Sequence, residues 1–273
     1  VVKLFSINSR SSSSLFNIVF PDNTYDGVIL STQEFSDVSF LRFDNLPLSM
    51  QENTFEDNHV LVTCFSGTPI ASVVNFCTNN NLTGFEEFAG LPGSIGGALY
   101  MNARCFDKSI SDILFYSSYM EYSENKVELK KLRYNENDFG YKKSPFQNAN
   151  RFVTTATFLL TKLPESEHKQ IEDKCKFYIS ERITKGHFRY PSAGSVFKNN
   201  HDFGKPSGKL IDEAGLKGFS IGGAQIADFH GNFIVNTNNA KASDVKELVK
   251  YAEKIIFEKF GFSLEPEIIF VDD

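Results

Sequence analysis

At 273 residues the chain exceeds the usual length of one domain, so two domains are expected. A hydrophobic content of 41% with 23% charged residues describes a soluble globular protein, and the absence of an apolar run of about 18 residues excludes a membrane span. A net charge of -6 leaves no bulk basic surface for nucleic acid.

The cysteines, Cys64, Cys77, Cys105 and Cys175, show no Cys-x-x-Cys spacing, and the five histidines show no His-x-x-x-His spacing. No metal site is therefore expected. Free thiols in a reducing compartment are the economical reading, which places the protein in the cytoplasm. With no Trp and 28 Phe, phenylalanine must fill much of the core. The N-terminus has no signal-peptide h-region and no initiator Met, so residues are expected upstream of Val1.

In chain order, Val1 to Ile7 reads as a strand. Asn8 to Ser14 is a Ser-rich loop with two readings, a plain connection or a phosphate-contacting turn. Leu15 to Phe20 and Gly27 to Leu30 read as strands around the turn Pro21-Asp22-Asn23. Val60 to Cys64 is a further strand. Thr68-Pro69 reads as a helix cap followed by proline at the first helical position, and Ile70, Val73, Val74 and Cys77 recur at helical spacing up to Asn79-Asn80-Asn81.

The densest glycine cluster follows, from Gly84 to Arg104. Gly90, Gly93, Gly96 and Gly97 let a ligand approach the backbone, and Ser94 caps a helix from Ile95 to Asn102. A glycine loop feeding a helix N-terminus suits a phosphate or pyrophosphate; tight packing of a small-residue helix on a sheet is the other reading. The spacing is neither Gly-x-Gly-x-x-Gly nor a Walker loop. Between Ile110 and Thr161 the alternation predicts antiparallel strands. Within that region Tyr141, Lys142, Lys143 and Ser144 form either an anion grip or a solvated turn.

Leu163-Pro164 marks a domain boundary. Ser166 to Thr184 reads as a helix with Ile171, Cys175 and Tyr178 on one face. In Tyr190 to Asn200, Pro191 and Gly194 predict a sharp bend that presents Ser192 and Ser195, with Lys198 and Asn199 behind. An ordinary turn explains the same residues. Ser207 to Ala214 is a short helix closed by Gly215, and Phe233 to Asn236 a buried strand. Ser243 caps a last helix striped by Val245, Leu248, Val249, Ala252, Ile256 and Phe260, which Gly261 stops. Leu264 to Phe270 is a final strand in which alternation puts Glu265 and Glu267 on one face.

Taken together, these motifs resemble the UDP-N-acetylenolpyruvoylglucosamine reductase family. The resemblance rests on Gly90-Leu91-Pro92-Gly93-Ser94-Ile95-Gly96-Gly97-Ala98, Met101-Asn102-Ala103, Pro191 to Asn199, Ser207 to Asp212, Ile221 to Gln225 and Leu264-Glu265-Pro266-Glu267, in that order, and runs from about Gly84 to the C-terminus. It implies an α+β protein: an FAD-binding region over 1–163 with an incomplete front, a smaller α/β substrate-binding domain over 164–260, and a C-terminal strand over 261–273 returning to the active site.

The resemblance further implies noncovalent FAD, NADPH as reductant, and reduction of the enolpyruvyl ether of a nucleotide sugar to the lactyl ether in peptidoglycan synthesis, by a monomer. Ser195 matches the proton donor and Glu267 the second catalytic residue. Lys142 stands where the family carries arginine. Gly93, Ser94, Ile95, Gly96, Gly97, Asn102 and Ala103 match the flavin segment, and Asn199, Tyr141 and Lys185 are the substrate contacts. Lysine at position 142 keeps the charge and loses the planar two-point grip. The family's Gly-x-Gly-Ser-Asn turn falls within Asn8 to Asn17, here without glycine, so no flavin contact is assigned there. Its earliest strand and Thr-x-Arg-Ile-Gly-Gly segment are missing from this sequence, and Arg104 and Asp107 replace small residues. The alternative is a protein that keeps the fold and binds a UDP-sugar with reductase activity lost or weakened. Another flavin oxidase sharing the FAD fold explains the glycine cluster but not Ser195 and Glu267.

Overall fold

The computed structural model describes residues 2–3, 17–47, 50–51, 55–124, 126–148 and 150–271. The Ser-rich loop from Asn8 to Ser14 and most of the first expected strand lie outside them. The chain divides into two compact units, one of residues 1–9 and 28–180, the other of residues 10–27 and 181–273.

In the first unit the main sheet runs in the order Lys126–Arg133, Leu114–Ser123, Arg151–Lys162, His59–Phe65, Val38–Leu41, and Leu82–Thr83 also pairs with the Arg151–Lys162 strand. Those pairings are antiparallel, as the alternation predicts. One side of this sheet is covered by apolar side chains with 3.6-residue spacing: the helix Ile70–Asn79 buries Ile70, Val73, Val74 and Cys77. Phe85, Phe88, Phe146 and Phe158 share that core, which answers the need for phenylalanine filling. Burial pushes the Cys64 and Cys77 thiols well above their ordinary range, so both pack as apolar groups.

The second unit holds an antiparallel sheet in the order Ser192–Ser195, Phe233–Asn236, Ala224–Ile226, Ser220–Ile221. The helix Ala242–Phe260 supplies Leu248, Val249, Ala252 and Ile256 to the core and ends at Gly261, whose φ of 74° is the left-handed stop expected there. The helix Ser207–Glu213 adds Leu210 and Ile211. Within this same unit, Ile18–Val19 pairs in parallel with Ile269–Phe270.

The boundary expected at Leu163-Pro164 lies elsewhere. It falls inside the helix His168–Thr184, because Ile171 and Cys175 are buried in the core of the first unit. Two caps also differ from expectation. Thr68 does not cap its helix: its hydroxyl donates to the Asp37 carbonyl and accepts from the Asp37 amide. The start of the Ala242–Phe260 helix is held by Asp22, whose carboxylate accepts from the amides of Ala242 and Ser243 and from the Ser243 hydroxyl. These hydrogen bonds, the Ser243 hydroxyl foremost, hold the Asp22 carboxyl below its usual range.

Candidate functional site

In the first unit, the glycine cluster folds as predicted around Ser94, whose hydroxyl accepts from the Gly97 amide at the start of the helix Ile95–Tyr100. Gly93 has φ +105°, and among the described residues no atom lies within 4 Å of where its Cβ would stand. Gly96 is packed tightly: a Cβ there would meet Ser66 at 2.9 Å. Gly67 is tighter still, at 1.7 Å from the Thr32 carbonyl oxygen.

The helix N-terminus itself is spent on the protein. The amide of Ile95 donates to Thr68, that of Gly96 to Ser66 at 2.7 Å, and that of Gly97 to Ser94. Of the two readings left open for this helix end, the tight packing at Gly96 is what is observed, and the first amide donors already have acceptors. What remains is an open backbone face at Gly93 and the Ser66 hydroxyl, which is buried with no hydrogen-bond partner among the described residues. An orphaned buried hydroxyl is costly unless something accepts it. These two features fit a cofactor laid against the loop.

Asn102, matched to the flavin segment, has its amide committed within the protein. Its Nδ2 donates to the Gly140 carbonyl at 2.9 Å and its Oδ1 accepts from the Ser111 amide. Ala103 follows, with its amide on the Ala98 carbonyl. Asn102 thereby anchors the turn Gly140 to Lys143, closed by reciprocal backbone bonds between those two residues. Lys142 takes φ +55° in this turn, a conformation that costs a non-glycine residue about 1 kcal/mol or more. The Gln147 side chain donates to the Lys142 carbonyl and holds it there, and the Lys142 amine lies 5.9 Å from the centre of the Tyr141 ring. Tyr141 is exposed.

In the second unit, the stretch expected to bend at Gly194 is a bulged strand. Ser192 pairs with Val235 and Ser195 with Phe233, and Gly194 takes up the register shift at φ 85°. Val196 and Phe197 are buried behind it. Asn232, buried at 4% exposure, fastens this segment: its amide accepts from the Phe197 N–H and donates to the Phe197 carbonyl, while its own carbonyl accepts from Val196.

Glu267 lies against the same backbone. Its amide donates to the Val196 carbonyl at 2.7 Å, and Phe197 bridges Pro266. Alternation predicted that Glu265 and Glu267 share one face, but Pro266 breaks the regular strand. Glu265 is exposed and pairs with Lys198, whereas Glu267 is buried at 5% exposure. The Glu267 carboxylate accepts from the Asn17 side chain.

Ser195 and Asn199 line a cavity of about 340 Å³ with Gly208, Lys209, Asp212, Lys217, Phe229, His230 and Asn232. Asp212 sits between two cations, Lys209 at 3.7 Å and Lys217 at 3.6 Å. Asn199 also accepts from the Ser207 amide, which secures the helix Ser207–Glu213 at the cavity. Lys185 pairs with Glu181 one helical turn away and is not among the lining residues. Sequence reasoning passed over Lys217, His230 and Asn232. Their signal was weak: single polar residues beside the quoted motifs, without a pattern of their own.

His230 accepts from the Asn232 amide through Nδ1, which leaves the ring proton on Nε2. Burial lowers its pKa, so it lines the cavity as a neutral donor. His187 stacks on Phe233 at 4.9 Å and meets His230 edge-on; burial, then the nearby Arg182, lowers its pKa to about 4. Two lysines sharing the Asp212 carboxylate leave one net positive charge, and with a hydroxyl, an amide and a neutral imidazole around one hollow they suit an anionic, hydrogen-bonding ligand.

The C-terminal domain of UDP-N-acetylenolpyruvoylglucosamine reductase matches residues 186–271. The chain is 40% identical to the UDP-N-acetylenolpyruvoylglucosamine reductase of Treponema denticola, over 99% of this chain and 83% of that protein. It is 38% identical to that of Treponema pallidum, over 93% and 78%. Among solved structures it is similar to the UDP-N-acetylenolpyruvylglucosamine reductase of Thermus caldophilus, with a TM-score of 0.71 and 28% identity, covering 99% of this chain and 85% of that one.

Proposed function

This chain belongs to the UDP-N-acetylenolpyruvoylglucosamine reductase family, and from that premise we propose how its residues carry the reaction. The protein is an oxidoreductase of peptidoglycan synthesis that uses a flavin, and it acts on a nucleotide sugar. We assign FAD as the flavin and NADPH as the reductant. Nothing in the comparisons favours the alternative of a UDP-sugar binder without reductase activity.

We assign the flavin to the loop Gly93, Ser94, Ile95, Gly96, Gly97, supported by the open face of Gly93 and by the Ser66 hydroxyl. Asn102 and Ala103 join this segment by keeping its end in place. A flavin held there would supply a hydride for the terminal carbon of the enolpyruvyl group. Ser195 and Glu267 are assigned to the negative charge on the adjacent carbon and carboxylate.

Ser195 delivers a proton to that adjacent carbon, completing the lactyl ether. A hydroxyl is a weak acid, so the transfer needs a strongly basic acceptor, which the enolate provides, and a route that returns a proton to Ser195 afterwards. Glu267, fastened one residue from Ser195 through the Val196 carbonyl, is assigned to polarise the enol system. Lys142 and Tyr141 are assigned to the substrate carboxylate through their match to the family motif. The cavity wall of Asn199, His230 and the Lys209–Asp212–Lys217 cluster, with its one net positive charge, is assigned to the diphosphate, and Lys185 is assigned as a substrate contact outside that lining. We infer a cytoplasmic monomer, with the flavin loop in the first unit and the Ser195 cavity in the second.

The single observation that carries this reading is the gathering of Ser195 and Asn199 with Lys209, Lys217 and His230 around one hollow. The test is rapid kinetics on the purified protein. Its yellow flavin should bleach with NADPH and recover its colour on addition of the enolpyruvyl substrate. Ser195→Ala should leave bleaching intact and slow recovery by about 10²–10⁴-fold. Equal loss in both half-reactions would mean that Ser195 is not the proton donor.

A further inference from the structure

We propose that Asn17 is a positioning residue for Glu267, holding that carboxylate in its working orientation through a side-chain hydrogen bond made possible by a left-handed backbone. The proposal rests on the catalytic assignment of Glu267 above. Asn17 lies 250 positions from Glu267, yet its Nδ2 donates to Glu267 Oε1 at 3.3 Å. A carboxylate only accepts, so a donor at this distance orients it without adding charge.

The backbone explains why an asparagine does this. Asn17 takes φ 64°, where asparagine, aspartate and glycine are tolerated and most residues are strained. In that conformation its amide donates to the Ala193 carbonyl at 2.8 Å, and its carbonyl accepts from the Ile269 amide at 2.7 Å. One residue thus ties the strand that carries Ser195 to the strand that follows Glu267. Beyond it, Ile18–Val19 pairs with Ile269–Phe270, and Asp22 clamps the Ala242–Phe260 helix. The segment is fixed at both ends, so the Asn17 side chain has little room to leave Glu267.

Glu267 is buried, and a buried carboxylate depends on what its oxygens meet. Charged groups on these packed elements include Asp22, the Lys198–Glu265 pair and Lys246, whose amine lies over the Phe270 ring. A neutral donor such as Asn17 fixes the carboxyl without setting a second charge beside it.

Two substitutions separate side chain from backbone. Asn17→Gly keeps the left-handed turn and removes the donor. Asn17→Asp keeps the size and the turn and sets a carboxylate against a carboxylate. In the flavin-loaded full chain, both should leave flavin reduction unchanged and slow reoxidation by the enolpyruvyl substrate by about tenfold to a hundredfold. Asn17→Asp should also move the pH profile of reoxidation upward, because two neighbouring carboxylates hold a proton to higher pH. Added to Glu267→Gln, Asn17→Gly should cost nothing further, since residues acting as a unit are not additive. A purely structural role predicts instead that the isosteric aspartate restores the rate, and that result overturns the proposal. If Glu267→Gln is slow and Asn17→Gly is normal, the positioning role falls and the assignment of Glu267 stands. If Glu267→Gln is itself normal, both fall.

Discussion

The glycine-rich stretch of the first unit and the serine–glutamate seam of the second solve different physical problems. In the stretch from Gly84 to Arg104, the close packing at Gly96 and the open face at Gly93 depend on what side chains are absent, and the residues concerned are neighbours in the chain. Helix donors there are satisfied by Thr68, Ser66 and Ser94, so the loop offers an open backbone face rather than a free helix end. At the seam three remote segments meet: Asn17 to Asp22, Ser192 to Phe197, and Glu265 to Phe270. There polar groups are held by long-range hydrogen bonds. A local motif can be read from its spelling; a seam exists only once distant strands pair.

The contrast breaks most sharply at Gly67. A methyl group there would stand 1.7 Å from the Thr32 carbonyl oxygen, and neither backbone can yield without moving the strand end that supports Gly96. Gly67→Ala should destabilise the first unit by about 3 kcal/mol or more, read as a lowered melting temperature and loss of bound flavin. A normal melt would mean that this close approach is not essential.

Asp22 tests the seam next. Asp22→Ala removes three hydrogen bonds from the start of the Ala242–Phe260 helix. It should lower the melting temperature by a few degrees and slow substrate-driven reoxidation more than flavin reduction. Because the folded carboxyl is held below its ordinary pKa, the stabilisation is present above about pH 4 and is lost as the pH falls through the folded value. The difference between wild type and variant should therefore shrink in acid.

His187 gives a smaller, sign-defined effect. Between an ordinary histidine pKa of 6.5 and the folded value of about 4, the unfolded chain binds a proton that the folded chain refuses. Stability is complete above pH 6.5 and declines as the pH falls toward 4. His187→Phe, which preserves the stack on Phe233, should flatten that decline in melting temperature against pH, by a modest amount because solvent still reaches the ring.

The smallest expected change is at Lys142. Lys142→Arg keeps the charge and the left-handed turn and restores a two-point grip, so the rate of substrate reduction should hold or rise by a few-fold. A large drop in steady-state rate would show a site rebuilt around lysine.

Much of the first region is legible in the sequence. The helix Ile70–Asn79 follows from the spacing of its four buried residues, and the Ser94 cap from the serine before Ile95. The Gly261 stop and the buried strand Phe233–Asn236 were readable for the same reason, since each depends on neighbouring residues. Misread features share the opposite cause. Ser243 looks like a cap from its neighbours, but the capping carboxylate comes from Asp22, 221 positions away. Glu265 and Glu267 look equivalent under strict alternation, and Pro266 separates them into an exposed ion pair and a buried acid.

The sequence by itself determined the reductase family, the α+β class and the order of most elements, because capping, periodicity and motif spelling act over a few residues. Tertiary structure alone decided where the units divide, which helix donors are already spent, and that Lys217, His230 and Asn232 join Ser195 at one cavity. It also decided that Asn17 meets Glu267. Those outcomes depend on which distant strands bury their apolar faces together, and nothing in the local order of residues states it.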